Sequence, residues 1–172
     1  MPLVTFLARP DIDDARLELI DGEVFEKPMP TWGHGSLALI VGALLNDVGF
    51  AAVEPRAIIP PAGNLDASSP LPDVAFYRNR PPALDEWMTR APDVVVEILS
   101  PSQERRDLRA KVDAYVAFGV GSVWVISPPT SDIDVYEHGT RRTIRGNEVL
   151  ASPYAPGFSI TVADLFDRLR RE

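Results

Sequence analysis

Residues 93–99 read DVVVEIL and carry the clearest strand pattern in the chain. Three successive valines favour extended backbone, and apolar side chains on both faces are typical of a strand in the middle of a sheet. Residues 105–118 predict a helix that ends at Gly119, and residues 122–126 predict another apolar strand. A strand, a helix and a strand in this order predict two parallel neighbours joined by a right-handed crossover.

The segments around this unit predict the rest of a mixed α/β sheet. Residues 17–26 predict a hairpin, because Asp21-Gly22 accepts the positive φ angles of a type I′ turn. Residues 36–48 predict a buried helix that Gly49 ends in the left-handed conformation. Further elements are predicted as strands at residues 51–59, 73–77 and 132–137, a polar strand or turn at 141–148, and an amphipathic helix at 162–169. We therefore expect a central mixed β-sheet flanked by helices, with an N-terminal β-hairpin.

Length and composition limit the classes of protein. The 172 residues fit one domain, with a hairpin at 16–27, a core at 33–137 and a C-terminal segment at 140–172. The chain has no cysteine, no secretory signal pattern and no apolar run of about 20 residues, so we expect a cytoplasmic protein with no membrane association. A net charge of −8 disfavours a protein that binds nucleic acid with its whole surface, but it allows a local basic patch.

Three charged residues are candidates for chemistry. Glu97 lies within the apolar strand, where a carboxylate needs a cation or several hydrogen-bond donors. Asp73 opens the strand at residues 73–77, and acids on adjacent strands can bring their oxygens to one Mg²⁺. Lys111 lies on the helix after the Glu97 strand, and Lys27 is the only other lysine of the chain.

Each candidate also has a structural interpretation. The alternative for Glu97 is an ion pair with an arginine or a position on a solvated edge strand. The Pro72-Asp73 pair is common in turns, and Lys111 is four residues after Asp107, as in a surface ion pair of a helix.

Short motifs in order along residues 16–166 resemble one known family. They are LELIDGE at 17–23, HG at 34–35, PDVAF at 72–76 and VEILSPS at 96–102, then Arg106-Asp107-Leu108, Lys111, Tyr115, Gly119-Val120, Trp124-Val125 and Pro156-Gly157-Phe158. The chain resembles the Uma-type family of putative restriction endonucleases, a branch of the PD-(D/E)XK nuclease superfamily. The lysine that the superfamily places two residues after the strand Glu is Leu99 here. The resemblance implies that a lysine of the next helix, Lys111, replaces it.

The resemblance implies a restriction-endonuclease-like core and a Mg²⁺-dependent (or Mn²⁺-dependent) endonuclease that hydrolyses phosphodiester bonds of nucleic acid, with DNA the expected substrate. Asp73, Glu97 and the backbone carbonyl of Ile98 would hold the metal, which activates water and neutralises charge on the phosphate. Lys111 would orient or activate the attacking water or stabilise the transition state. Which group acts as the general base stays open.

Two further residues match the family pattern as auxiliary contacts of metal or phosphate. His34 stands between two glycines, and a helix start or turn is the interpretation that turn preferences favour for it. On a hairpin strand, a structural acceptor is the favoured interpretation of Glu18.

Arginines near Lys111 are candidates for binding the nucleic acid. Arg105, Arg106 and Arg109 suit bidentate phosphate contacts, although a solvated helix face explains them equally. A symmetric homodimer is a convenient way to cut two strands, so we expect self-association. The alternative function is a catalytically silent module that keeps the nuclease fold to bind a protein or a nucleic acid.

Overall fold

The computed structural model describes residues 1–100 and 105–170, with the side chains of residues 105–107 left undescribed. Within these residues the elements are α1 (Leu3–Leu7), β1 (Leu17–Ile20), β2 (Glu23–Glu26), α2 (Trp32–Asn46), β3 (Phe50–Val53), β4 (Val74–Tyr77), β5 (Val94–Ile98), α3 (Arg105–Phe118), β6 (Ser122–Ser127), β7 (Asp132–Glu137), β8 (Thr140–Arg145), β9 (Val149–Leu150), β10 (Ile160–Thr161) and α4 (Val162–Leu169).

A six-stranded mixed sheet in the order β3-β4-β5-β6-β7-β8 forms the centre of the molecule. The β5 and β6 strands are parallel, and α3 connects them, whereas the other neighbours in this sheet are antiparallel. The predicted strand–helix–strand unit is confirmed, and α3 ends where Gly119 adopts a φ of +97°. The predicted fold class, a mixed sheet flanked by helices, is therefore confirmed.

The two faces of the sheet carry separate cores. On one face, α2 and α4 pack on side chains that include Phe76, Val96 and Trp124. On the other face, α3 packs on the alternate residues of the same strands, among them Val95 and Val125. Because side chains alternate along a strand, residues in phase with Val95 point towards α3. Glu97 is in this phase.

The N-terminal hairpin packs against the segment that leads into β4. Its turn residues Asp21 and Gly22 have φ angles of +49° and +76°, which confirms the predicted turn. Backbone hydrogen bonds link Leu19 and Ser69 in both directions, and all four residues of β1 are buried. This docking brings side chains of the hairpin close to the ends of β4 and β5.

The structure differs from the predictions in several local features. The α2 helix begins at Trp32, earlier than predicted, because the Thr31 side chain caps it. The helix was expected to be buried, but only one of its faces is, since Leu39 on another face is exposed. The left-handed conformation predicted for Gly49 is wrong, because its φ angle is not positive. A glycine is needed at this position for a steric reason: a Cβ atom would lie 2.5 Å from the Phe76 ring.

The strand predicted over residues 51–59 is shorter than expected. It ends at Val53, because Glu54 adopts a φ of +52° and the chain then bonds to the 68–70 segment. The predictions missed α1, β9 and β10, which are short. The helix start predicted at Ser100-Pro101-Ser102 falls largely outside the described residues. No helix in the described part of the chain has the length and apolar character needed to cross a bilayer.

Candidate active site

Asp73 and Glu97 lie opposite each other on neighbouring strands. Val74 pairs with Val96 in the antiparallel register, so extending this register by one residue places Asp73 beside Glu97. Both side chains belong to the face covered by α3, and both residues are 1% exposed. Opposed residues of an antiparallel pair hold their Cβ atoms about 5 Å apart. The structure therefore brings together the two acids that the sequence singled out, and excludes the solvated edge strand for Glu97.

Asp73 is held by three donors. Its Oδ1 accepts hydrogen bonds from Lys27 Nζ at 2.7 Å and from His34 Nε2 at 2.9 Å, and its Oδ2 accepts from the Ile98 backbone N–H at 2.6 Å. Burial alone would raise the pKa of this carboxyl, but the bonds and charges of His34 and Lys27 outweigh burial and hold the pKa well below its usual range. Asp73 is thus ionised at neutral pH.

Glu97 is held by two side chains of α3. Its Oε2 lies 3.0 Å from Lys111 Nζ, and its Oε1 accepts a hydrogen bond from the Tyr115 hydroxyl at 2.6 Å. Burial raises the pKa of Glu97 against the attraction of Lys111, and burial together with the Glu97 carboxylate raises the pKa of Tyr115 well above its ordinary value. Tyr115 therefore acts as a neutral donor.

Lys111 joins two acids in the interior. Its Nζ lies 2.9 Å from Glu18 Oε1 and 3.0 Å from Glu97 Oε2, and its side chain is only 4% exposed. Burial alone would lower the pKa of this amine, but the two carboxylates outweigh burial and raise it above its ordinary value. Lys111 is therefore buried and does not lie on a solvated helix face, and it is a permanent cation at neutral pH.

Both auxiliary candidates lie in the same cluster. Glu18 Oε1 also accepts a hydrogen bond from the Leu71 backbone N–H at 2.7 Å, which ties the hairpin to the residues before Asp73. His34 contacts Asp73 through Nε2, while its buried Nδ1 has no hydrogen-bond partner in the described part of the chain. The N-terminus of α2 thus supplies a ring nitrogen to the cluster. His34 also lies in the first turn of this helix, so its structural interpretation as a helix-start residue holds as well.

Lys27 and Glu54 are members of the cluster that the sequence reasoning missed. Lys27 Nζ contacts Asp73, the Leu71 carbonyl oxygen at 2.6 Å and Glu54 Oε1 at 3.4 Å. Glu54 also receives two hydrogen bonds from Arg16, at 2.6 and 2.8 Å. The signal for Lys27 was compositional, since both lysines of the chain enter this cluster.

A cavity of about 110 Å³ opens onto these groups. It is lined by Asp73, Glu97, Lys27, Lys111, Glu18 and His34, with Ile98, Ser100 and apolar hairpin residues at its wall. A larger cavity of about 830 Å³ lies on the other side of α3, over β7 and β8. Arg109 lines this second cavity and is strongly exposed, so the structure does not bring it to the acids. The side chains of Arg105 and Arg106 lie outside the described residues.

The donor set is suited to a hard divalent cation. No three Asp, Glu or His side chains stand ready to enclose a metal within residues 1–100 and 105–170. Mg²⁺, however, commonly uses one or two carboxylates and completes its shell with water and phosphate oxygens. Asp73 and Glu97, opposed across a strand pair at one cavity, provide two such carboxylates, and Ile98 lies at the same wall.

A family model shows the family of this chain, and a solved structure shows its fold. Residues 3–163 match the family model Uma2, described as "Putative restriction endonuclease". The chain is similar to a solved structure described as a putative nuclease belonging to DUF820 from Anabaena variabilis ATCC 29413. The two share 23% sequence identity with a TM-score of 0.85, over 98% of this chain and 99% of the other. No curated protein matches the chain.

Proposed function

Because the chain belongs to the Uma2 family of putative restriction endonucleases, we propose that it is a nuclease that hydrolyses phosphodiester bonds of nucleic acid at the Asp73, Glu97 and Lys111 cluster. We propose further that the reaction depends on Mg²⁺ or Mn²⁺ and that the substrate is DNA. The observation that carries the proposal is the placement of two opposed buried carboxylates and a buried ammonium group around one cavity. Buried charges of this kind are costly, and they are typical of functional sites.

Asp73, Glu97 and the carbonyl of Ile98 are the proposed metal ligands. A bound divalent ion lowers the pKa of a water molecule and neutralises charge on the phosphate. Asp73 suits this role because its low pKa keeps it ionised, and its bond to the Ile98 N–H fixes it against β5. Tyr115 and Lys111 of α3 orient Glu97 on β5.

Lys111 is proposed to stabilise the negative charge that develops on the phosphate. Its raised pKa keeps it protonated, which favours a role as cation and donor over a role as general base. Glu18 holds the ammonium from the hairpin side, so we propose a positioning role for Glu18. His34 is proposed to contact metal or phosphate, since one of its ring nitrogens has no partner in the described residues.

The remaining predictions concern the substrate and the setting. Arg105, Arg106 and Arg109 stay candidates for phosphate binding, with Arg109 placed on the separate groove beside α3. A homodimer and a cytoplasmic location stay predictions.

A catalytically silent binding module is the second candidate function. One observation favours it: Asp73 and Glu97 each already contact a lysine ammonium group.

A nicking assay on supercoiled plasmid, with Mg²⁺ or Mn²⁺ and with EDTA, separates the two functions. We expect metal-dependent nicking by the wild type and its loss in Asp73→Asn, Glu97→Gln and Lys111→Met. Asp134→Asn is the matched control, because this acid lies on β7 and pairs with Arg141 away from the cluster. A wild type that cleaves neither DNA nor RNA with either metal contradicts the nuclease proposal and supports the silent module.

A further inference from the structure

Lys27 is a buried ammonium group that the proposed reaction does not use. It reaches the cluster from the residue that follows β2, and its Nζ is bonded to Asp73 Oδ1 at 2.7 Å and to the Leu71 carbonyl oxygen at 2.6 Å. Lys111 contacts Glu18 and Glu97 and leaves Asp73 to Lys27. Each of the two proposed carboxylate ligands therefore contacts a different lysine.

A divalent ion and Lys27 compete for the same carboxylate. Asp73 Oδ1 accepts bonds from Lys27 and His34, and Oδ2 accepts from the Ile98 N–H. The Ile98 donor is fixed by the backbone of β5, whereas Lys27 is a flexible side chain. Lys27 also carries a full positive charge, which repels a divalent ion at contact distance. A metal at Asp73 is therefore expected to displace Lys27 first.

Glu54 offers the displaced ammonium group a second partner. Its Oε1 already lies 3.4 Å from Lys27 Nζ, and two hydrogen bonds from Arg16 fix its carboxylate. The Glu54 side chain is 28% exposed, so it lies on the solvent side of Asp73, which is buried. Lys27 can thus leave Asp73 and remain paired with an acid.

We propose that Lys27 is a resident cation of the metal site, which neutralises Asp73 in the absence of a divalent ion and moves to Glu54 when one binds. The inference rests on the proposed metal-dependent function of the same cluster. It adds that the strength of the Lys27–Asp73 ion pair sets the affinity of the protein for the metal.

Calorimetric titration with Mn²⁺ alone, without nucleic acid, tests the competition. Lys27→Met removes the ammonium group and keeps the length of the side chain, so we expect binding roughly tenfold or more tighter than in the wild type, the fold-change typical of a lost charged hydrogen bond. Glu54→Gln removes the second partner of Lys27, so we expect weaker binding, by roughly twofold to tenfold. General structural damage would weaken binding in both variants, so opposite changes show that the charges of Lys27 and Glu54 control the affinity for the metal. The movement of Lys27 needs a measurement of its own.

Nuclear magnetic resonance of the wild type tests the movement itself. Selective ¹³C,¹⁵N-lysine labelling gives only two side-chain signals, because the chain has two lysines, and Lys27→Met assigns them. On saturation with diamagnetic Mg²⁺, we expect the Lys27 ammonium protons to exchange faster with water as they move to the more exposed Glu54. The Lys111 protons should stay protected, because buried Glu18, which is not a proposed metal ligand, holds this ammonium group even when Glu97 binds the ion. The exchange rates are measured on the wild type, and Lys27→Met serves only to assign the two signals.

The outcomes distinguish a failure of the Lys27 inference from a failure of the proposed metal-dependent nuclease function. Tighter binding by Lys27→Met, weaker binding by Glu54→Gln and faster exchange at Lys27 support the proposal. If the wild type binds Mn²⁺ but Lys27→Met binds it no tighter, or if Lys27 stays protected at saturating Mg²⁺, the inference is wrong and the nuclease proposal stands. If neither protein binds the metal, both the inference and the metal-dependent function are wrong.

Discussion

Two groups of ion pairs lie on the two sides of α3, and they differ in burial more than in geometry. In the cluster, Lys111 lies 2.9 and 3.0 Å from its two acids and its side chain is 4% exposed. In the groove over β7 and β8, Arg141 lies 2.8 Å from Asp134, but its side chain is 59% exposed. Ion pairs with similar distances therefore differ strongly in how much energy is lost when they break.

The energetic difference between the two groups arises from their access to water. An exposed pair that breaks exchanges its partner for water, so it contributes little to stability. A buried charge that loses its partner has no water to replace it, so breaking one pair is costly, even though the intact pair need not be a net gain. The cluster holds such buried charges, which is why we propose the chemistry there and not in the larger groove. Four predictions test this contrast, from the largest expected effect to the smallest.

The largest effect is expected for Lys111→Met. This change leaves the carboxylates of Glu18 and Glu97 buried without their ammonium group, which should lower the free energy of unfolding by about 3–5 kcal/mol. Urea unfolding followed by circular dichroism measures it. Adding Glu97→Gln to Lys111→Met should recover part of the loss, and a single variant as stable as the wild type would contradict the contrast.

Asp73→Asn should cost about 2–3 kcal/mol at neutral pH, because it weakens the charge-assisted bonds from Lys27 and His34. The folded pKa of Asp73 lies below its ordinary value of 3.8, so the stabilisation is fully present above that value and is lost as the pH falls through the folded pKa.

Urea unfolding of the wild type and Asp73→Asn over a series of pH values checks this sign. The stability difference should stay level down to about pH 4 and shrink below it. A difference that grows in acid would mean that Asp73 is protonated in the folded state.

Tyr115→Phe removes one hydrogen bond to Glu97 and leaves the ring in place, so we expect a loss of about 1–2 kcal/mol. The pKa of Glu97, already raised by burial, should rise further because a donor to its charged form is gone. Carboxyl titration by ¹³C nuclear magnetic resonance measures the change. An unchanged Glu97 pKa would show that the hydroxyl does not interact with the carboxylate.

The smallest effect is expected for Arg141→Met in the groove. Its pair with Asp134 is exposed on the arginine side, so the free energy of unfolding should change by less than about 1 kcal/mol. The small difference should decrease further at high salt, because salt screens exposed charges. A loss as large as that of Lys111→Met would remove the distinction between the two sides of α3.

The sequence alone predicted the β5–α3–β6 unit, the hairpin and the terminal helix, and the structure confirms them. Side-chain periodicity and local turn chemistry determine such elements, and both can be read within a few residues. Alternation along two strands also selected Asp73 and Glu97. The Gly49 interpretation failed because the need for glycine there arises from the Phe76 ring, which lies far along the chain.

Only the tertiary structure decided which side chains complete the cluster. Lys27 meets Asp73 across 46 residues of sequence, and Glu18 meets the Leu71 backbone across 53. Those contacts depend on how the hairpin docks on the segment before β4, and no local pattern encodes that docking. The sequence identified two lysines and several acids as unusual. Long-range packing then brought a different lysine to each of the two opposed acids. The physical reason is that a charge buried away from water needs a partner of opposite charge, and only the tertiary structure determines which charges are buried together.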